Sequence, residues 1–365
     1  MIVADFRLNK KNMKKLFTLI AIMFSVVASA QVTEMQSATL TLKDGTTTVY
    51  YGQDALVKAY NAAPNKDATI TLSSGDFQSV QWRKAVNLYG VGFEEDATTR
   101  TSRTYLTGGM EFLPQDSRNI DNIHIEGIFF NGNITLSNNA NNEGAPITGI
   151  VFARCYYSSF VINTNTKDIV IRQSVNTGDI GGNTNYLQDN LRILNSWVGG
   201  RAVSIPTNET YMSTVLFDHC LINKWWSSTN YGWNQPQGPY RFTNCIIRQN
   251  VSAGASLENC ILLAYEKADP QTTTENCIYG AGKALIAFFE EDVENMDYSA
   301  TRTYKLVDKY ATAGTDGTEI GLQGGYGWVK TSSVPRITEI SIDKLTSTDG
   351  ILKVSLKAEA QPVVQ

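Results

Sequence analysis

A short frame recurs along the middle of this chain and restricts its fold more than any other feature. With a small residue as position zero, the frame is apolar at −3, polar at −2 and −1, and apolar at +1 and +2. All five cysteines stand at zero, in segments such as Phe217-Asp218-His219-Cys220-Leu221-Ile222, Phe242-Thr243-Asn244-Cys245-Ile246-Ile247 and Leu257-Glu258-Asn259-Cys260-Ile261-Leu262. Cys155 and Cys277 sit alike, and Ile128, Ser174 and Ser196 hold the same place in segments without cysteine. Only Ala153 and Leu194 break the polar rule at −2. The eight zero positions are 27, 19, 22, 24, 25, 15 and 17 residues apart. Imperfect repeats of that length, built from short strands with no helical period between them, predict a solenoid of stacked strands. Strand alternation sends the −3 side chain inward and the −2 side chain outward. Asn at −1 suits a corner, because it tolerates left-handed backbone and its amide can bond the next coil.

These residues resemble the right-handed parallel β-helix of the pectin-lyase-like superfamily. Ala68 to Phe77 is similar to the opening coil of that family, and Val86 to Gly92 to the strand that follows. Thr315-Asp316-Gly317-Thr318-Glu319-Ile320-Gly321-Leu322-Gln323-Gly324-Gly325 resembles the last coil of secreted Bacteroidetes β-helix proteins. The resemblance implies an all-β solenoid over 54–328, opened by a capping helix. Leu56, Ala59, Tyr60 and Ala63, spaced i, i+3, i+4, i+7 after Asp54, predict that helix. Residues 31–53 are expected to form N-terminal strands. Alternation in Ile337–Ile342 and Ile351–Leu356 around Asp349-Gly350 predicts a hairpin over 335–360, either a cap on the last coil or an appendage.

Residues 1–30 read as an address. Lys14-Lys15, the apolar run Leu16–Phe24 and Ala28-Ser29-Ala30 make a secretory signal with cleavage after Ala30, the start codon being either Met1 or Met13. The apolar run is shorter than the roughly 20 residues a spanning helix needs. Of the chain's 31 basic and 35 acidic residues, those thirty hold five basic and one acidic, so the remainder carries 26 against 34. An acidic exported chain with no later spanning segment is a poor partner for nucleic acid, since Lys and Arg supply most phosphate affinity. A monomer, secreted, periplasmic or on the cell surface, is expected.

The odd cysteine count and shared inward frame predict stacked small hydrophobes, although Cys220–Cys245 or Cys245–Cys260 bridges between neighbouring coils stay within reach. The family's calcium-dependent lyases need clustered carboxylates and a basic residue, and its polygalacturonases need several Asp with a His and an Arg. This chain has no Asp-Asp pair and no Gly-His-Gly. The outward −2 column nonetheless brings Asp218, Glu258 and Glu275 toward register, an acid–base set if the protein is an enzyme. Otherwise they are solvated surface groups. The acidic run Glu290–Glu294 offers oxygen ligands for calcium, but lacks the spacing of a dedicated loop, so no cofactor or metal is expected.

Between Cys220 and Cys245, Trp225, Trp226, Tyr231, Trp233 and Tyr240 crowd into polar, turn-forming sequence. Aromatic faces among amides and hydroxyls suit sugar rings, and Arg241 and Arg248 stand near enough in sequence to meet an acidic sugar. Packing of the tryptophans over the coil is the alternative. The expectation is therefore an exported, non-catalytic solenoid presenting an aromatic and polar surface to carbohydrate or another cell-surface partner. A polysaccharide lyase or glycoside hydrolase, and a structural or adhesive rod, are its rivals.

Overall fold

The recurring segments pair directly over one another. In the inward row, Leu88, Ile125, Phe152, Ile171, Ile193, Phe217, Phe242 and Leu257 follow in parallel register, each no more than 2% exposed. The computed structural model describes residues 36–95, 102–114, 120–137, 146–182, 186–200, 202–203, 213–223, 240–249, 251, 255–267, 273–334, 336–342 and 354–359. The expected signal segment 1–30 and the aromatic stretch 224–239 lie outside them.

The protein is all-β, with strands gathered mostly into long parallel sheets. Among the described residues, one sheet has twelve strands, from the edge strand Thr47–Tyr51 to Thr273–Glu275, and a second has ten, from Gly75–Phe77 to Ile278–Tyr279. A third has five strands, from Met110–Phe112 to Ala202–Val203. The chain visits them in turn. Val151–Ala153 lies in the first sheet, Tyr156–Tyr157 in the second and Phe160–Asn163 in the third, and Val170–Arg172 returns to pair with Val151–Ala153. Register survives the 15- and 17-residue repeats, where Phe242 pairs with Leu257 and Leu257 with Thr274. Short corners therefore suffice there.

At the N-terminal end, Ser37–Leu42 pairs antiparallel with both Thr47–Tyr51 and Lys66–Leu72. Helix α1 (Ala55–Ala62) buries Leu56, Ala59 and Tyr60 against the main core. Asp54 makes no side-chain cap; its carboxylate pairs with Lys58 at 2.7 Å instead. Arg336–Ile342 and Val354–Glu359 form the expected antiparallel hairpin. No helix among the described residues is long and apolar enough to cross a membrane.

Position zero is an internal column. Cys155, Cys220, Cys245 and Cys260 are buried and Cys277 partly so, all as free thiols, so the bridges between coils do not form. The column is held by side chain to main chain bonds: the Cys155 amide donates to Ser174 Oγ (3.1 Å) and the Ser174 amide to Ser196 Oγ (3.2 Å).

The apolar +1 residues face outward, yet they are covered. Val175, Trp197, Leu221, Ile246 and Ile261 follow one another on the outer face of the ten-stranded sheet. With Phe288, Phe289, Val293, Met296, Leu306, Ile320 and Leu322 they form a second core. Residues 284–334 thus make a C-terminal strap laid over the outside of the sheet. Five buried side chains at roughly 2 kcal/mol each hold it. Residues 315–325, expected as a last coil, contain no strand and belong to this strap, and the parallel pairing ends at Ile278–Tyr279. Gly321 lets the strap approach: its φ is +85°, and a Cβ there would stand 2.5 Å from Ile246 Cδ1.

Burial pushes the Cys155 thiol up to about 12, and only Cys277 is partly exposed. Thiol titration of the native protein is expected to label Cys277 and spare the other four until denaturant is added; a disulfide count above zero contradicts the column.

Candidate functional site

The corner residues at −1 organise the surface. Gly127, Arg154, Gln173, Asn195, His219, Asn244, Asn259 and Asn276 all have left-handed backbone, with φ between 42° and 71°. This turns the chain between the twelve- and ten-stranded sheets and points each side chain along the outer edge. Their polar groups mostly hold the strap, not the next coil. The Asn259 amide donates to Ala313 O (2.9 Å), and that of Asn244 to Thr315 Oγ1 (3.0 Å) and back to Asp218 (3.2 Å). His219 Nε2 meets Thr318 Oγ1 at 3.2 Å. Asn195 donates to Leu322 O (2.9 Å) and Gly324 O (2.7 Å), and Gln173 to Gly327 O (2.9 Å). The strap therefore runs down the stack in reverse, from 313 beside 259 to 333 beside 126.

It ends on a buried ion pair. Glu126 accepts from Arg154 Nη1 (2.9 Å), lies 2.8 Å from His124 Nε2, and also accepts from Ser332 and Ser333 of the strap. Burial alone raises the Glu126 carboxyl, but the bonds from His124 and Ser333 and the Arg154 charge outweigh it and hold it at about 2. Glu94, raised by burial, pairs with Lys330 at 2.8 Å on the same end.

The −2 column follows the expected register: Glu126, Ala153, Arg172, Leu194, Asp218, Thr243, Glu258 and Glu275 pair in sequence. Its exposure does not. Glu126, Ala153 and Leu194 are buried, whereas Arg172, Asp218, Thr243 and Glu258 are partly open and Glu275 exposed. Ala153 and Leu194, the two breaks in the polar pattern, were the sequence sign that this stretch is covered.

The open end of the column holds the candidate surface. Arg241 Nη2 bonds Glu258 Oε2 at 2.8 Å, and the Asp218 carboxylate accepts from Asn244 and lies 3.0 Å from His219 Nδ1. Asp218 and Glu258 are two strands apart with Thr243 between, and Glu258 directly neighbours Glu275. Tyr240 is 2% exposed and packs in the main core, so its ring is no part of an outer surface. Arg248 binds Asn223 Oδ1 (3.0 Å) and Asn295 of the strap, which makes it a strap anchor. Arg241 remains outward and exposed. Trp225, Trp226, Tyr231 and Trp233 lie outside the described residues.

Three carboxylates of the acidic run 290–294 are engaged by protein donors. Glu290 pairs with Lys305 (2.7 Å), Glu291 accepts from the Thr303 and Tyr304 amides, and Asp292 accepts from the Glu294 amide. No group of three or more His, Cys, Asp or Glu side chains among the described residues converges as a metal cluster. Compared with protein-family models, curated proteins and solved structures, the chain finds no match.

Two outcomes follow for the strap. Asn195→Gly keeps the left-handed corner but loses both bonds, costing about 1–3 kcal/mol, and Asn195→Ala adds about 1–2 kcal/mol for its φ; denaturant titration of both variants checks the order. Glu126 contributes of order 3 kcal/mol that is complete above pH 4.5 and is lost as pH falls through about 2. Glu126→Gln is therefore destabilised at neutral pH, and its deficit against wild type closes on acidification; a deficit constant from pH 7 to pH 2 refutes the assignment.

Proposed function

We propose that this chain is an exported right-handed parallel β-helix that binds carbohydrate without catalysis, through the accessible end of the twelve-stranded sheet together with the aromatic stretch 224–239 that precedes Arg241 in sequence. The observation that carries the reading is the unbroken run of accessible polar −2 side chains from Asp218 onward. Along the −2 column Glu126, Ala153 and Leu194 are buried and Arg172 is partly open, while from Asp218 onward every member, with Thr243, Glu258 and Glu275, keeps solvent access, as does Arg241. The aromatic stretch 224–239 joins Asn223 to Tyr240, immediately before Arg241. A row of hydroxyl, carboxylate and guanidinium groups, with tryptophans close to it in sequence, supplies the chemistry a sugar polymer requires: hydrogen bonds for its hydroxyls and flat faces for its C–H surfaces.

The solenoid itself is supported by the regular passage through three sheets and the unbroken register of the −3 row. The non-catalytic reading is supported by the partners of the carboxylates: Asp218 is engaged by Asn244 and His219, and Glu258 by Arg241. Export rests on the first thirty residues.

A glycan array probed with wild type and with a triple variant (Trp225→Ala, Trp226→Ala, Trp233→Ala) tests this. Wild type is expected to select acidic or neutral polysaccharides, and the triple variant to lose at least tenfold in affinity with an unchanged melting temperature. Arg241→Ala is expected to weaken acidic glycans selectively. Equal binding by the triple variant removes the carbohydrate site. New reducing ends or unsaturated products from uronic-acid polymers, abolished by Asp218→Asn, would replace binding with catalysis.

A further inference from the structure

The edge strand Thr47–Tyr51 is unusually bare. It begins the twelve-stranded sheet and, among the described residues, pairs on one side only, with Ser37–Leu42. Leu42 donates to Thr46 O and Gly52 to Gln36 O. Alternation along an antiparallel ladder then assigns the groups of Thr46, Thr48, Tyr50 and Gly52 to that neighbour, and turns those of Thr47, Val49 and Tyr51 away from the sheet. The same alternate residues carry exposed apolar surface. Val49 is 43% and Tyr51 56% exposed, two of the four large hydrophobic side chains exposed among the described residues. Natural edges are blunted with charge, proline or a bulge, and Thr-Thr-Val-Tyr-Tyr has no proline or charge and pairs without a register shift. Each of its residues favours strand.

We infer that this strand is an interface, and that its occupant is the same strand of a second copy of this chain, paired antiparallel about a two-fold axis at Val49. The strand is its own complement. With Val49 opposite Val49 of the partner subunit, Thr47 falls opposite Tyr51 of the partner subunit, and the three outward residues of each chain exchange about six main-chain hydrogen bonds, two of them replacing the contact of Tyr51 O with Lys58 Nζ. Cross-strand neighbours share a face, so the two valines meet and each tyrosine covers a threonine. The register also brings the Lys43-Asp44 turn of one copy toward the Asp54–Lys58 ion pair of the other, where opposite charges are available to both. Lys58 Nζ already lies 3.4 Å from Tyr51 O, at the end of the strand and not across its centre.

The opposite edge of the sheet does not offer the same contact. Its last strand, Thr273–Glu275, has three residues and an exposed carboxylate at Glu275. Pairing through the N-terminal edge is therefore isologous and closes at two copies, whereas joining one end to the other would leave an open filament. The two twelve-stranded sheets become continuous, and the carbohydrate surface proposed above would occur once in each half. The inference does not depend on that surface.

Sedimentation equilibrium of the purified protein over a hundredfold range of concentration tests it. Wild type is expected at twice the chain mass, dissociating on dilution. Val49→Pro removes an outward N–H and no bond within the chain, and Val49→Lys sets like charges face to face at the axis; both are expected at a single chain mass with unchanged far-ultraviolet dichroism. Val49→Cys is expected to oxidise to a covalent dimer, because directly opposed Cα atoms lie within disulfide range, while Ile286→Cys, at a more exposed position elsewhere (60% against 43%), is not. Wild type at a single chain mass throughout, larger assemblies, or a dimer that persists in both Val49→Pro and Val49→Lys overturns the inference.

Discussion

The left-handed corner at −1 is the point on which this architecture turns. A strand that ran straight on would keep both its faces in one sheet. A residue at φ near +50° instead redirects the chain into the next sheet after three or four residues, and repeating it eight times aligns those redirections. Asn, and once Gly, accept that conformation at low cost; Arg154, Gln173 and His219 adopt it despite larger side chains, and each makes polar contacts at the outer edge. The corner thus has two roles, one in the backbone and one in the side chain.

The strap depends on that second role. An apolar outer row alone would hold a covering segment without fixing where it lies, because burial is not directional. The corner amides fix it, at intervals, from Asn259 to Gln173, and the Glu126–Arg154 pair fixes its end. Leaving that carboxylate buried without its partners would be costly, so the end of the strap is tied more strictly than its middle. From Asp218 onward the strap touches the corners at His219, Asn244 and Asn259, while the −2 side chains beside them keep solvent access. The proposed binding surface is in this sense bordered by the strap, which holds the corners beside it.

Much of the architecture was legible in the chain. The zero-centred frame located the inward row, the corner column and the internal cysteines, and it placed Asp218, Thr243, Glu258 and Glu275 in register. The amphipathic spacing after Asp54 located α1. These readings succeed because strand period and corner conformation are local properties, carried by two or three neighbouring residues. The strap was misread as a coil, since its Gly-rich segment resembles one and nothing local says which face it will lie against. Tyr240 and Arg248 were grouped with the aromatic stretch by proximity in sequence, but strand alternation turned the first inward and the strap claimed the second.

Sequence alone determined that short strands would stack, which side chains would line the inside, and that cysteine would serve there as a small apolar residue. Only the tertiary structure decided which outward residues meet water. That choice is made by a segment some 70 to 200 residues distant along the chain, and an exposed carboxylate and one capped by a remote backbone amide have the same neighbours in sequence.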